Sequence, residues 1–391
     1  MRIIYCGAFR FPTYDAASQR VLNNGRAMRE YGHEVMYISW GGKYRDEDLG
    51  VDGNYYYDGF RYIITDELDC HKHLLRKLIF IWKRGKKTIE LLGKTEFAPD
   101  VIILYNASYS WTHEMLSYCS RKKIKLVNDI TEWYDHNELY FFQIIPNWFN
   151  MKFTQRRVKN KILISSYLND VYSKSNNIII PPLCDASNVK WGRKIEDSRI
   201  NSFDGITLIY AGNPARKDAV HYVINAVQRL IDGGANIRFL IVGAEREQYL
   251  KNYADLLSIK GLSDRIQFLG RVPQDDVPSY YALADFMVLL RESTRKSNAG
   301  FPTKFAESFT SGTPVVANLT SDLGNYLKDS KTGFVVDEPT EVSIYRTLKE
   351  KVLPLKPNEI EEMKKNVRMF AKQLEYHAYI EPLRIFIANL K

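Results

Sequence analysis

The stretch "GFPTKFAESFTSGTPVV", residues 300–316, puts a lysine and a glutamate on one helix where neither serves the helix well. Pro302 suits a first helical turn, Phe305 and Phe309 give a core-facing stripe, and Gly312 before "TPVVAN" ends the helix ahead of a β-branched strand. Lys304 and Glu307 lie off that stripe, with lysine first, the weaker order for a helical ion pair worth about 0.3 kcal/mol. Glu307 is also one residue too far from Thr303 to complete a capping box. An ionised carboxylate, however, can accept from both hydroxyls of a diol. Free backbone N–H groups near Gly300, Phe301 and Thr303, beside Lys304, suit a phosphate or a sugar.

A second basic site lies in "YAGNPARKDAV", where Lys217 follows a strand, with Gly212, Asn213 and Arg216 around it. A solvated cation at a helix start is electrostatically poorly placed, whereas a compact ammonium there can neutralise phosphate and stabilise a departing diphosphate. In the first half, "NDITEWYDHNELYFF" (128–142) follows a strand directly and carries Asp129, Glu132 and His136 where α/β sheets place ligand contacts. Asp129 and Glu132 are candidates for contacting an acceptor or a reacting sugar, with helix capping as the alternative. Ser18 and Arg20 in "FPTYDAASQR" sit near a helix start that could bind phosphate.

Alternating elements must position these residues. "RIIYCG", a helical "AASQRVLNNGRAMREYG" and "EVMYIS" open the chain, followed by strands at 100–105, 123–129, 161–166 and 176–182. After a polar stretch a second alternation brings strands at 206–212, 237–243, 266–270, 286–290 and 314–318, then helical segments to the end. Short apolar runs separated by helices predict parallel, doubly wound sheets covered on both faces. The expected architecture is α/β: two facing Rossmann-like domains with a cleft between them. The expected boundaries are 1–187, a linker at 188–204, 205–373, and a C-terminal helix at 374–391 packing back on the first domain.

Composition narrows the function. The chain has 391 residues, 45% hydrophobic and 26% charged, ordinary for a soluble protein of two or three domains. No run approaches the roughly 20 apolar residues that span a bilayer, and the N-terminus reads as a strand, not a signal peptide. The four cysteines are widely spaced, which argues for reduced thiols in the cytoplasm and against structural zinc. There is no DxD pair beside the phosphate-binding candidates and no metal-ligand cluster, so no metal and no cofactor are expected. The GxGxxG fingerprint is missing in "CGAFRFP" and in "YAGNPARKD", which argues against a nicotinamide-binding dehydrogenase. A net charge of +9 accompanies 26 Tyr and 6 Trp, yet no nucleic-acid module is present. The basic residues gather in "HKHLLRKLIFIWKRGKK", 71–87, an amphipathic stretch that predicts contact with an anionic membrane surface.

"YAGNPARKDAVHYVINAV", "IQFLGRVPQDDVPSYYALADFMVLL" and "GFPTKFAESFTSGTPVV", in this order, resemble the C-terminal domain of GT-B retaining glycosyltransferases of the group 1, or GT4, type. "AASQRVLNNGRAMREYGHEV" and "IIIPPLCDAS" match the same family, so the resemblance covers nearly the whole chain. It implies a metal-independent hexosyl transfer from a nucleotide-diphosphate sugar to a glycan or polyprenyl-linked acceptor, in surface polysaccharide synthesis. It implies that Glu307 holds the ribose diol and that Lys217 stabilises the departing diphosphate. The family's double glutamate is absent: Ala299 stands where the first acid falls, and Asn298, or Arg291 with Glu292, is the expected substitute. That departure leaves open a catalytically silent nucleotide-sugar-binding subunit, beside a GT-B sugar-nucleotide epimerase. The expected location is cytoplasmic, peripheral at the inner face of the membrane.

Overall fold

The structure, a computed structural model, describes residues 1–12, 15–66, 83–134, 139–214, 218–257 and 261–391. The chain forms two compact units, Met1–Leu183 with Ala299–Phe301 and Tyr376–Lys391, and Cys184–Asn298 with Pro302–Glu375.

In the first unit, β1 (Arg2–Phe11), β2 (Glu34–Gly42), β3 (Tyr55–Tyr57), β4 (Phe60–Ile64), β5 (Val101–Tyr105), β6 (Lys125–Ile130), β7 (Asn160–Leu163) and β8 (Asn176–Ile179) form one sheet. Its order is β3-β4-β2-β1-β5-β6-β7-β8, parallel throughout except for the β3–β4 hairpin. β1 and β5 are near-continuous apolar runs because both sheet faces are covered. Ile3 and Tyr5 face one layer, with Val21 and Met28 of the Ala16–Glu30 helix and Leu383 and Phe386 of the Ile380–Ala388 helix. Ile4 and Cys6 face the other, with Trp111 and Met115 of the Tyr109–Lys122 helix. The C-terminal segment is also tied in by polar bonds, Asn160 Nδ2 reaching the Lys391 carbonyl at 3.2 Å and Asn160 Oδ1 accepting from the Lys391 N–H at 2.9 Å.

The second unit holds β9 (Ile206–Ala211), β10 (Ile237–Val242), β11 (Ile266–Gly270), β12 (Phe286–Leu289), β13 (Val315–Ala317) and β14 (Gly333–Val335), all parallel, in the order β11-β10-β9-β12-β13-β14. This is the 3-2-1-4-5-6 Rossmann order, whose switch point falls between β9 and β12. The Thr303–Thr310 helix packs beside it through Phe305 and Phe309, with ring centroids 4.2 Å apart.

Three segments differ from the expectations. The β3–β4 hairpin and β14 were not foreseen, although the Asp58–Gly59 turn between "YYY" and "FRYII" is a strong hairpin signal. The chain changes units at Leu183–Cys184, and the polar stretch 188–204 is part of the second unit instead of a free linker. Its polar side chains are used there: Tyr280 donates to Asp197 at 2.8 Å, Arg199 donates to the Leu269 carbonyl, and Ser279 donates to the Arg193 carbonyl at 2.8 Å. Of the basic stretch 71–87, residues 71–82 lie outside the described residues; Lys87 donates to the carbonyls of Thr65 and Asp66. Among the described residues no helix is long and apolar enough to cross a membrane.

One close approach holds the first helix on the sheet. A Cβ on Gly25 would lie 1.8 Å from the hydroxyl oxygen of Tyr37, which is buried and donates to the Val21 carbonyl at 2.9 Å. Gly25→Ala is therefore expected to cost about 1–3 kcal/mol by overpacking. In the Tyr37→Phe background it should cost clearly less, because the clashing oxygen is gone. Urea denaturation of the four proteins checks this, and equal costs in both backgrounds would remove the explanation.

Candidate functional site

The carboxyl ends of β9 and β12 converge on one buried carboxylate. Asp218 has no exposed side-chain surface and is paired with two cations, Arg291 Nε at 2.9 Å from Oδ1 and Lys304 Nζ at 2.5 Å from Oδ2. Arg291 follows β12, and Lys304 lies in the first turn of the 303–310 helix. Tyr210, near the end of β9, donates to Asp218 Oδ2 and sets its ring 4.9 Å from the Lys304 ammonium. Burial alone would raise the Asp218 pKa, but Lys304, Arg291 and the Tyr210 hydroxyl hold it at about 2. The carboxylate thus stays ionised and fixes both cations at the strand ends, where the three charges sum to +1. Arg291 is further held by Asn318, which accepts from its N–H at 2.8 Å and donates to its carbonyl at 2.7 Å.

Gly212 explains how the lysine reaches this point. A Cβ there would fall 2.3 Å from Lys304 Cε, and φ is +130°, so the lysine stem occupies space that a side chain would fill. Asn213 follows, its carbonyl accepting from Tyr210 at 2.9 Å.

Glu307 lies one turn along from Lys304 and does not pair with it. Among the described residues the half-buried Glu307 carboxylate forms no ion pair and accepts no hydrogen bond. Burial raises its pKa, and Lys190 and Lys304 only partly offset that rise. Its neighbour Tyr281 is fully buried, and the Tyr281 hydroxyl makes no hydrogen bond among the described residues. A desolvated carboxylate with no donor among the described residues, one turn from the held Lys304, is equipped to accept hydroxyls from a ligand whose charge is negative.

The remaining expected site residues fall elsewhere. Arg216 and Lys217 lie outside the described residues, as does His136. Asn298 donates to Thr294 O at 2.9 Å and Ser293 Oγ at 3.0 Å, and accepts from the Ser321 N–H at 3.0 Å. Gly300 and Phe301 group with the first unit, where the preceding Ala299 carbonyl accepts from Ser165 Oγ at 2.7 Å; Thr303 begins the helix in the second. Asp218 and Tyr210 were not foreseen, although an acid directly after "ARK" at a strand end was a usable signal.

In the first unit Arg20 and Asp129, expected to contact ligands, are placed by the structure in a buried pair. Asp129 is fully buried; Arg20 Nε and Nη2 bond it at 2.9–3.1 Å, while Nη1 donates to the Ile180 carbonyl at 2.7 Å. Tyr5 also donates to Asp129. All three guanidinium nitrogens of Arg20 are engaged, so the pair joins β6 to the Ala16–Glu30 helix and to the chain after β8. Removing one partner of such a buried pair costs about 3–5 kcal/mol. Ser18 is likewise the reciprocal partner of Asp15 in a helix cap, its N–H 2.9 Å from Asp15 Oδ1 and its hydroxyl donating to the Asp15 carbonyl at 2.7 Å. Glu132, half-buried after β6, is the one of these four that keeps some exposure.

Comparison with known proteins bears on the fold and on the second domain. Residues 205–350 match the family described as glycosyl transferases group 1. The chain is 29% identical over 126 residues to a GDP-mannose-dependent α-(1-6)-phosphatidylinositol monomannoside mannosyltransferase of Mycobacterium tuberculosis, covering 31% of each chain. It is 27% identical over 129 residues to an α-D-kanosaminyltransferase of Streptomyces kanamyceticus, covering 33% of this chain and 32% of that one. The chain thus spans less than a third of the length of these curated relatives. In fold it is similar along nearly its whole length to a sucrose-phosphate synthase from Thermosynechococcus elongatus (TM-score 0.71, 15% identity, 99% of this chain and 100% of that one). It is also similar to HepE of Anabaena in complex with UDP and glucose (TM-score 0.69, 14% identity, 100% of both chains). The chain is a GT-B protein, two Rossmann-like domains in one polypeptide. Its second domain, over residues 205–350, is similar to the group 1 glycosyltransferases.

The raised pKa of Glu307 makes its charge a cost to the folded state. Above the ordinary carboxylate value of 4.5 the unfolded chain ionises where the folded one resists. Glu307→Gln is expected to raise the melting temperature at pH 7 in ligand-free protein, the gain shrinking as pH falls from 7 toward 4.5 and vanishing below it. Calorimetric melts across that range check it, and a lower or pH-independent melting temperature would contradict it.

Proposed function

We propose that the protein moves a hexosyl group from a nucleotide-diphosphate sugar to a hydroxyl of a glycan or lipid-linked acceptor, with retention at the anomeric carbon and without a metal ion or a cofactor. The observation that carries this reading is the pair of features at the β9–β12 switch point: Lys304 and Arg291 held by Asp218, and a Glu307 carboxylate with no partner among the described residues. In this reading Glu307 accepts the ribose diol, Lys304 and Arg291 meet the diphosphate, and Lys217 adds charge as the leaving group departs. Gly212 and Asn213 admit the phosphate to the strand ends, and the helix start at Thr303 adds its N–H groups. Asn298 stands for the sugar-binding acid that Ala299 replaces, and the first domain takes the acceptor.

In the transfer, the bond from the anomeric carbon to the phosphate oxygen breaks and a bond to the acceptor oxygen forms on the same face. The acceptor's proton passes to the departing phosphate oxygen, so no side-chain base is required. The enclosure of Asp129 by Arg20 and Tyr5 supports this route over one using that carboxylate. A lipid-linked acceptor is supported by the mannosyltransferase relative, whose name specifies a phosphatidylinositol mannoside. Surface polysaccharide synthesis at the inner face of the membrane is the setting we assign.

Glu307→Ala is expected to weaken nucleotide-sugar binding by about 1.5–3 kcal/mol through the lost charge-assisted contact. Lys217→Ala should act mainly on turnover, because the charge it meets grows in the transition state. Calorimetric titration and single-turnover assays separate the two effects, and unchanged affinity and rate in both folded variants would refute the site. NMR of the product's anomeric configuration, in reactions run with EDTA, tests the rest. An inverted linkage, or activity lost with EDTA and restored by magnesium, would overturn the mechanism.

A further inference from the structure

The Phe141–Phe149 helix is apolar, yet none of its residues is buried. Phe141 is 73% exposed and Ile145 74%, and Tyr140, Trp148 and Phe149 are exposed as well. Phe141, Ile145, Trp148 and Phe149 recur at helical spacing and form a single face. The helix runs on through a π turn, Asn150–Thr154, into Gln155–Arg157. That turn is anchored from beneath: Asn150 donates to the Ala107 carbonyl at 3.0 Å, Asn128 donates to Gln155 at 2.6 Å, and Tyr172 donates to the Met151 carbonyl at 2.8 Å. A fixed turn thus presents Phe153 and the preceding apolar face to solvent.

Charge identifies what would cover this face. Lys152, Arg156 and Arg157 are exposed along the same run, and the sequence has no Asp or Glu from Leu139 through Asn169. A second copy of the chain, meeting this face by two-fold symmetry, would set these cations against themselves. An anionic lipid surface satisfies both parts: aromatic rings at the interface, Phe and Ile in the acyl boundary, and Lys and Arg at the phosphate headgroups. We infer that the 140–157 face seats the protein on an anionic phospholipid surface. This inference draws neither on the basic 71–87 stretch nor on the sugar-transfer reading.

Flotation of the full chain with phosphatidylcholine vesicles, with and without phosphatidylglycerol, tests it. The wild type is expected to bind the anionic vesicles and to release as salt rises. The Phe141→Ser/Ile145→Ser/Trp148→Ser protein, and separately the Lys152→Gln/Arg156→Gln/Arg157→Gln protein, should each bind about tenfold more weakly or worse, with unchanged melting temperature. Brominated acyl chains should quench wild-type fluorescence more than that of Trp148→Phe. No binding to either vesicle, or binding unaffected by the Ser variant, would overturn the proposal. So would loss of binding only when Lys83, Lys86 and Lys87 are replaced, or a lipid-free dimer that the Ser variant abolishes.

Discussion

A buried aspartate organises the second domain's strand ends. Asp218 has no access to solvent, and its ionised state is possible only because Lys304, Arg291 and Tyr210 surround it. The dependence runs both ways. Without the carboxylate, two mostly buried cations would remain at the mouth of the sheet without the charge that balances them, a costly arrangement. With it, they are pre-positioned and still sum to a net positive charge, so under the proposed function an arriving diphosphate would meet donors whose ordering cost is already met in the fold. Gly212 is part of the same constraint, since any side chain there would displace the Lys304 stem.

Glu307 is the complement of this arrangement. It shares a helix with Lys304, but Lys304 turns to Asp218, and Glu307 is left desolvated with no donor among the described residues. Stability alone would not select such a residue. A group that costs stability in the free protein and can be satisfied by a diol in the bound one is the mark of a site shaped for a ligand.

Much of the fold could be read from the chain. Apolar β-branched runs at even spacing identified most of the strands, and Phe305, Phe309 and Gly312 located the helix that carries Lys304 and Glu307. The short β14 and the tyrosine-rich hairpin escaped because they lack a long apolar run. The site was harder, for a physical reason. Residues after parallel strands are ligand candidates by topology, but burial decides whether their polar atoms face a ligand or each other. Arg20 and Asp129 are more than a hundred residues apart, and only the folded first unit brings them together as a pair. Asp218 was overlooked for the converse reason: its value lies in two partners, Arg291 and Lys304, that are distant in sequence.

The central claim is that a nucleotide diphosphate binds at the β9–β12 switch point of the second domain. Photocrosslinking with azido derivatives of UDP and GDP sugars, followed by peptide mapping, tests it most directly. The account predicts label on peptides containing 206–214 or 303–310, removed by excess unlabelled nucleotide and lost in Glu307→Ala. Competable label confined to peptides of Met1–Leu183, or none with either nucleotide, would contradict it.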